Sequence, residues 1–122
     1  MNDISDKKTI VSLFQIPDEY RLKLKKIAQK SSEKGFKLSI NTCIIDALEA
    51  YLILPQDHQL KPIIPKTPLT AFTVRTSSIL KQKIIYCAAS WQLKSSVPVS
   101  MNAIVNASII CYLRKYEETE IN

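Results

Sequence analysis

The 122-residue sequence contains one glycine, one histidine and one tryptophan. A single glycine disfavours the glycine-rich loops that cradle phosphates. It also argues against folds with many tight hairpins, which need residues tolerant of positive φ. Helices joined by short connections suit such a composition. The cysteines, Cys43, Cys87 and Cys111, are odd in number, widely spaced and without a Cys-x-x-Cys pair, and His58 lies in a proline-rich stretch far from all three. This pattern speaks against a zinc site; no cofactor or metal is expected, and each cysteine reads as a small apolar residue in a reducing compartment. No apolar run is long enough to cross a bilayer and the first eight residues are polar, without the pattern of a secretory signal. The expected location is cytoplasmic, with no membrane partner. Asp46, Glu49 and His58 assemble no recognisable acid-base pair or nucleophile, so an enzyme is not expected.

What is present is positive charge and apolar content. A formal net charge of +6 and a pI near 9.3 point to a polyanion, nucleic acid before an acidic membrane surface. With 46% hydrophobic residues, a chain of this length can bury a core without disulfide or metal.

The chain repeats itself. Ile16-Pro17-Asp18-Glu19-Tyr20 superimposes on Thr76-Ser77-Ser78-Ile79-Leu80 at an offset of sixty, and Tyr20, Leu24, Ile27 and Ala28 then fall on Leu80, Ile84, Cys87 and Ala88. After a one-residue insertion, Ser39-Ile40-Asn41 matches Ser100-Met101-Asn102, and Tyr51-Leu52 matches Tyr112-Leu113. Between the copies, Ile53 to Pro68 carries Pro55, Pro62, Pro65 and Pro68 and reads as an extended linker.

Each copy has three parts. An alternating run comes first, with Ile10, Phe14 and Ile16 on one side and Thr9, Val11, Leu13 and Gln15 on the other. Its counterpart sets Phe72, Val74 and Thr76 against Ala71, Thr73 and Arg75. Period two with β-branched and aromatic residues predicts strands, although Ser12 interrupts the first apolar face. Helical spacing follows. Tyr20, Leu24, Ile27 and Ala28 share one face, Arg21, Lys23, Lys25, Lys26 and Lys30 mostly line the rest, and Asp18 and Glu19 suit the positive end of the helix dipole. Leu80, Ile84, Cys87, Ala88 and Trp91 repeat the stripe. The third part opens on a capping serine, Ser39 or Ser100, and the second of these helices is apolar on much of its circumference, so it should be the more buried.

A lone strand with two helices leaves its backbone and one face of each helix unsatisfied. Two copies resolve this if the strands pair into an antiparallel ribbon and four helices cover one side. At this point the order of residues resembles the ribbon-helix-helix family of the Arc and MetJ repressors. The resemblance rests on Val11-Ser12-Leu13-Phe14-Gln15-Ile16-Pro17-Asp18-Glu19-Tyr20 and Leu38 to Leu48, and on Phe72-Thr73-Val74-Arg75-Thr76 and Val99 to Val105. Tandem single-chain forms are similar to TraY-type relaxosome proteins of conjugative plasmids. The resemblance implies a mainly α fold with one two-stranded ribbon, two motifs folding as an intramolecular pseudo-dimer. It divides the chain into a flexible N-terminus (1–8), motif one (9–54), the linker (55–68), motif two (69–116) and a tail (117–122).

The resemblance also implies a function and a site. Sequence-specific binding of double-stranded DNA is expected, in a transcriptional regulator or a plasmid transfer accessory factor; the alternative is an antitoxin-like or other protein-interaction module. Base contacts carry over to Val11, Leu13, Gln15, Ala71, Thr73 and Arg75. Phosphate contacts carry over to Lys37, Ser39, Ile40, Asn41, Ser100, Met101 and Asn102. Arginine pairs with guanine and glutamine with adenine, so the equivalent Gln15 and Arg75 imply unequal half-sites. The chain is expected to be monomeric in solution and able to assemble side by side on DNA.

Overall fold

A computed structural model describes residues 9–35 and 38–121; Lys37 and the N-terminal segment 1–8 lie outside them. The fold is mainly helical with one two-stranded antiparallel sheet. Its order is β1 (Thr9–Pro17), α1 (Asp18–Glu33), α2 (Ile40–Leu52), β2 (Leu69–Ser77), α3 (Ser78–Gln92) and α4 (Met101–Ile121). No helix among the described residues is long and apolar enough to cross a membrane.

The sheet obeys the alternation of its sequence. Phe14, Ile16 and Val74 are buried and Thr76 with them, while Val11, Leu13, Gln15, Ala71, Thr73 and Arg75 face outward. In the register Leu13 stands opposite Thr73, its own equivalent in the sixty-residue repeat. The flanking outward pairs, Val11–Arg75 and Gln15–Ala71, interchange under the same offset.

Each helix starts and stops for a local reason. Pro17 closes β1 in extended geometry and leads into α1, where Asp18 and Glu19 occupy the first turn and Lys30 the last, complementing the helix dipole at both ends. The lone glycine, Gly35, takes φ +89° just past that helix, a conformation that side chains with a Cβ resist. Ser39 Oγ accepts the amide of Thr42 at 3.1 Å, Ser77 Oγ that of Leu80 at 3.1 Å and Ser100 Oγ that of Ala103 at 3.1 Å, so three of the four helices carry a serine cap. Ser77 stands where copy one has Pro17; a cap replaces a conformational lock.

The core lies between the ribbon's inner face and the helices, with α2 packed mainly on α4. From Ala103 to Ile109 every residue of α4 is buried, as its all-round apolar sequence predicts. Ile44, Leu48, Ile84, Ile104 and Val105 are fully inaccessible, and each such side chain contributes about 1.5–3 kcal/mol of transfer free energy. The same stretch holds two polar residues. Ser108 Oγ returns its proton to the Ile104 carbonyl at 2.8 Å, and Asn106 reaches the ribbon.

Two segments differ from the sequence expectation. The linker is pinned down as well as extended. It opens with a 3₁₀ turn at Gln56–His58, Tyr51 donates its hydroxyl to the Leu60 carbonyl at 2.6 Å, and Gln59 bridges the Tyr51 carbonyl and the Trp91 indole. Pro55 ends the helical path, but the polar groups that follow find partners on α2 and α3. The segment expected as a tail is also structured, because α4 runs on through Glu117 and Glu118 to Ile121. Tyr116 packs against the core and stacks on Tyr112 one turn earlier, and Glu117 pairs with Lys23 of α1.

Candidate nucleic-acid interface

The outward face of the ribbon presents six side chains in three cross-strand pairs: Val11–Arg75, Leu13–Thr73 and Gln15–Ala71. All six are exposed, Val11 by 59% and Leu13 by 64%, and none is acidic. Arg75 and Gln15 share this face but stand at opposite ends of it. The partner of Arg75 is Val11, four residues from Gln15, which at about 3.3 Å per residue separates the two by roughly 13 Å along the strand.

The ribbon's two edges are held by asparagines from the first turns of α2 and α4. Asn41 Oδ1 accepts the Arg75 amide at 2.8 Å, and Asn41 Nδ2 donates to the Arg75 carbonyl at 3.1 Å. On the other edge, Asn102 Oδ1 accepts the Gln15 amide at 2.6 Å and Nδ2 donates to the Gln15 carbonyl at 2.9 Å. Asn106 Nδ2 adds a third bond, to the same Gln15 carbonyl at 3.0 Å. A two-stranded ribbon leaves a row of unpaired N–H and C=O groups on each side. Here the amide side chain, carrying donor and acceptor together, stands in for a neighbouring strand at one residue per edge.

This clamp fixes where the helix ends lie. With Asn41 hydrogen-bonded to β2 and Asn102 to β1, the N-termini of α2 and α4 flank the ribbon, one beside each edge. Ser39 and Ser100 are exposed there; Ile40, Asn41, Met101 and Asn102 are half-buried. The serine hydroxyls serve as caps, while the amides of Ile40, Asn41, Met101 and Asn102 precede the first intrahelical bond, where the positive end of the dipole gathers.

The chain matches no protein-family model, no curated protein and no solved structure. The meaning of this surface has to be read from its own chemistry.

The base-contact positions carried over from the resemblance all fall on one exposed face, and six of the seven phosphate-contact positions fall beside its edges. The seventh, Lys37, lies outside the described residues. The side chains of Asn41 and Asn102 are committed to strand backbone, so only their main-chain amides remain for an anion. Sequence reasoning missed this clamp. Its signal was an asparagine two positions after each capping serine, recurring in both copies. Asn106 had a weaker signal, as a lone carboxamide inside an apolar helix. Of the α1 lysines, Lys23 is taken up by Glu19 at 3.6 Å and Glu117 at 3.2 Å, and those hydrogen-bonded carboxylates hold its pKa above the usual lysine value. Trp91 is half-buried against the core with its indole N–H donated to Gln59 Oε1 at 2.9 Å.

Proposed function

We propose that the chain binds double-stranded DNA sequence-specifically by laying its two-stranded ribbon in the major groove. In this reading residues 9–54 and 69–116 are two ribbon-helix-helix motifs folded as a single-chain pseudo-dimer. The observation that carries the proposal is the bare ribbon face with a helix N-terminus held beside each edge. A two-stranded ribbon fits the major groove, whose floor displays a distinct donor and acceptor pattern for every base pair. Helix N-termini take phosphates through backbone amides, which fixes register without reading sequence. The sixty-residue register, with Leu13 facing Thr73, supports the pseudo-dimer, because an approximate two-fold through that pair would exchange the motifs.

Each outward residue then has a task. Arg75 meets guanine O6 and N7, Gln15 meets adenine N6 and N7, and Leu13 at the centre contacts a thymine methyl. The roughly 13 Å between Arg75 and Gln15 places them over different base pairs, so the two half-sites are unequal. Both strands come from one chain, so the protein is a monomer in solution that assembles side by side on longer sites. The role is that of a transcriptional regulator or a plasmid transfer accessory factor.

The decisive experiment selects bound duplexes from a random library with the wild type and with Arg75→Ala. Loss of one bidentate contact is worth about 1–3 kcal/mol, roughly five- to 150-fold in discrimination at one guanine. Preference there should relax while the rest of the motif is kept; an unchanged motif would refute the assignment.

Val11 and Leu13 favour a second reading, a protein-interaction module, because two exposed apolar residues also suit a protein surface. Salt separates the two. Contact with six to ten phosphates costs about three to five decades of affinity between 50 and 200 mM salt, and a protein partner shows far less dependence.

A further inference from the structure

The repeat gives the molecule two equivalent grooves, and they are unequally filled. One lies between α1 and α4, lined by Lys23, Lys26, Ile27, Lys30 and Leu113 together with Tyr116 and Glu117, and measures about 140 Å³. The other lies between α3 and the end of α2, where Lys83, Tyr86, Cys87, Ser90 and Leu52 occupy the repeat-equivalent positions, and it opens to about 840 Å³.

The difference has a covalent cause. In the first groove α4 continues past Leu113, bringing Tyr116 against the core and Glu117 Oε1 to 3.2 Å from Lys23 Nζ. In the second, α2 ends at Leu52, and Pro55 stands at the position equivalent to Tyr116. A proline there cannot continue the helix, and the chain leaves as the linker. The ammonium of Lys83, counterpart of Lys23, has no carboxylate within ion-pair distance among the described residues. Around it stand apolar side chains open to solvent, with Ile53 exposed by 82%, Tyr86 by 67%, Ile79 by 44% and Leu54 by 40%.

We propose that the α2–α3 groove docks an amphipathic helix of a partner protein that carries one carboxylate opposite Lys83, seated as the extension of α4 is seated in the equivalent groove. A large apolar side chain fills the position of Tyr116, and the carboxylate next to it pairs with Lys83. The filled groove thus serves as the template for the occupant of the open one. The linings differ elsewhere: Tyr86, Cys87 and Ser90 stand where the other half has Lys26, Ile27 and Lys30, and Glu49 stands where it has Ile110, which asks the occupant for a neutral or basic group at that wall. None of the six outward ribbon residues lines the groove, so the partner and a ligand on the ribbon can bind together. The proposal does not depend on what the ribbon binds.

The probe is a fluorescent peptide of residues 110–122 of this chain, with an i,i+4 lactam because short isolated helices are marginal in water. It is titrated into the full chain and followed by anisotropy. Binding is expected, weakened roughly two- to fivefold by Lys83→Glu, the scale of an exposed ion pair, and unaffected by Lys23→Glu. A peptide carrying Glu117→Lys should bind the Lys83→Glu protein better than the wild type. No binding, or binding lost with Lys23→Glu and kept with Lys83→Glu, would overturn the proposal. So would self-association of the unlabelled chain that Lys83→Glu abolishes, because a second copy would then be the occupant.

Discussion

Replacing Asn41 by alanine removes a side chain that touches no base in the proposed complex, yet it should loosen the ribbon. The residue makes two hydrogen bonds to Arg75, at 2.8 and 3.1 Å. Each net intramolecular bond is worth about 0.5–1.5 kcal/mol, so the pair contributes about 1–3 kcal/mol. Two effects reduce the loss. The freed backbone groups lie at an exposed edge where water can replace the amide, and alanine is the better helix former by about half a kcal/mol. The expected destabilisation is therefore about 0.5–1.5 kcal/mol. Asn102→Ala should cost no more, because the Gln15 carbonyl keeps its bond from Asn106 at 3.0 Å. The two clamps sit on opposite edges and share no partner, so the double variant should show the sum of the single effects to within about 0.5 kcal/mol. Urea unfolding followed by circular dichroism measures this as a lower midpoint at constant slope. A change below about 0.3 kcal/mol in both single variants would refute the claim that these amides hold the ribbon edges.

Two further outcomes follow from the buried polar groups. Thr76 is 4% exposed on the inner face, and its hydroxyl has no hydrogen-bond partner among the described residues. Thr76→Val, which keeps the shape and removes the orphan group, should raise stability by about 1 kcal/mol in the same urea assay; a loss would show that the hydroxyl is satisfied. Burial pushes the thiols of Cys43, Cys87 and Cys111 above the ordinary value of 9.0, and the phenols of Tyr51 and Tyr112 above 10.0. An acid whose pKa is raised by folding stabilises the fold below its unfolded pKa and loses that contribution as pH climbs past it. The urea midpoint should therefore fall between pH 8.5 and 10.5, and a flat or rising profile would contradict the burial of these groups.

Much of this architecture was legible because it depends on local rules. Period-two alternation separated Phe14 and Ile16 from Leu13 and Gln15, and the capping preference of serine located the starts of α2 and α4 at Ser39 and Ser100. The internal repeat supplied the partner for each strand. What escaped the sequence depends on long-range polar pairing. Nothing local distinguishes an asparagine that clamps a distant strand from one that faces water; Asn41 acts 34 residues from Arg75 and Asn102 acts 87 residues from Gln15. The linker was half legible. Its prolines announced an extended path, but the attachment of Gln59 to Trp91 and Tyr51 depends on where α3 lies. The continuation of α4 through Glu117 was hidden for the same reason, since its acidic end gains from Lys23 on a different helix.

Dimethyl sulfate interference on a duplex recovered by selection tests the central claim most directly, since the reagent marks guanine N7 in the major groove and adenine N3 in the minor groove. A ribbon in the major groove predicts that methylated N7 within the footprint blocks binding while methylated N3 is tolerated. Interference confined to N3, or none at all, would contradict it.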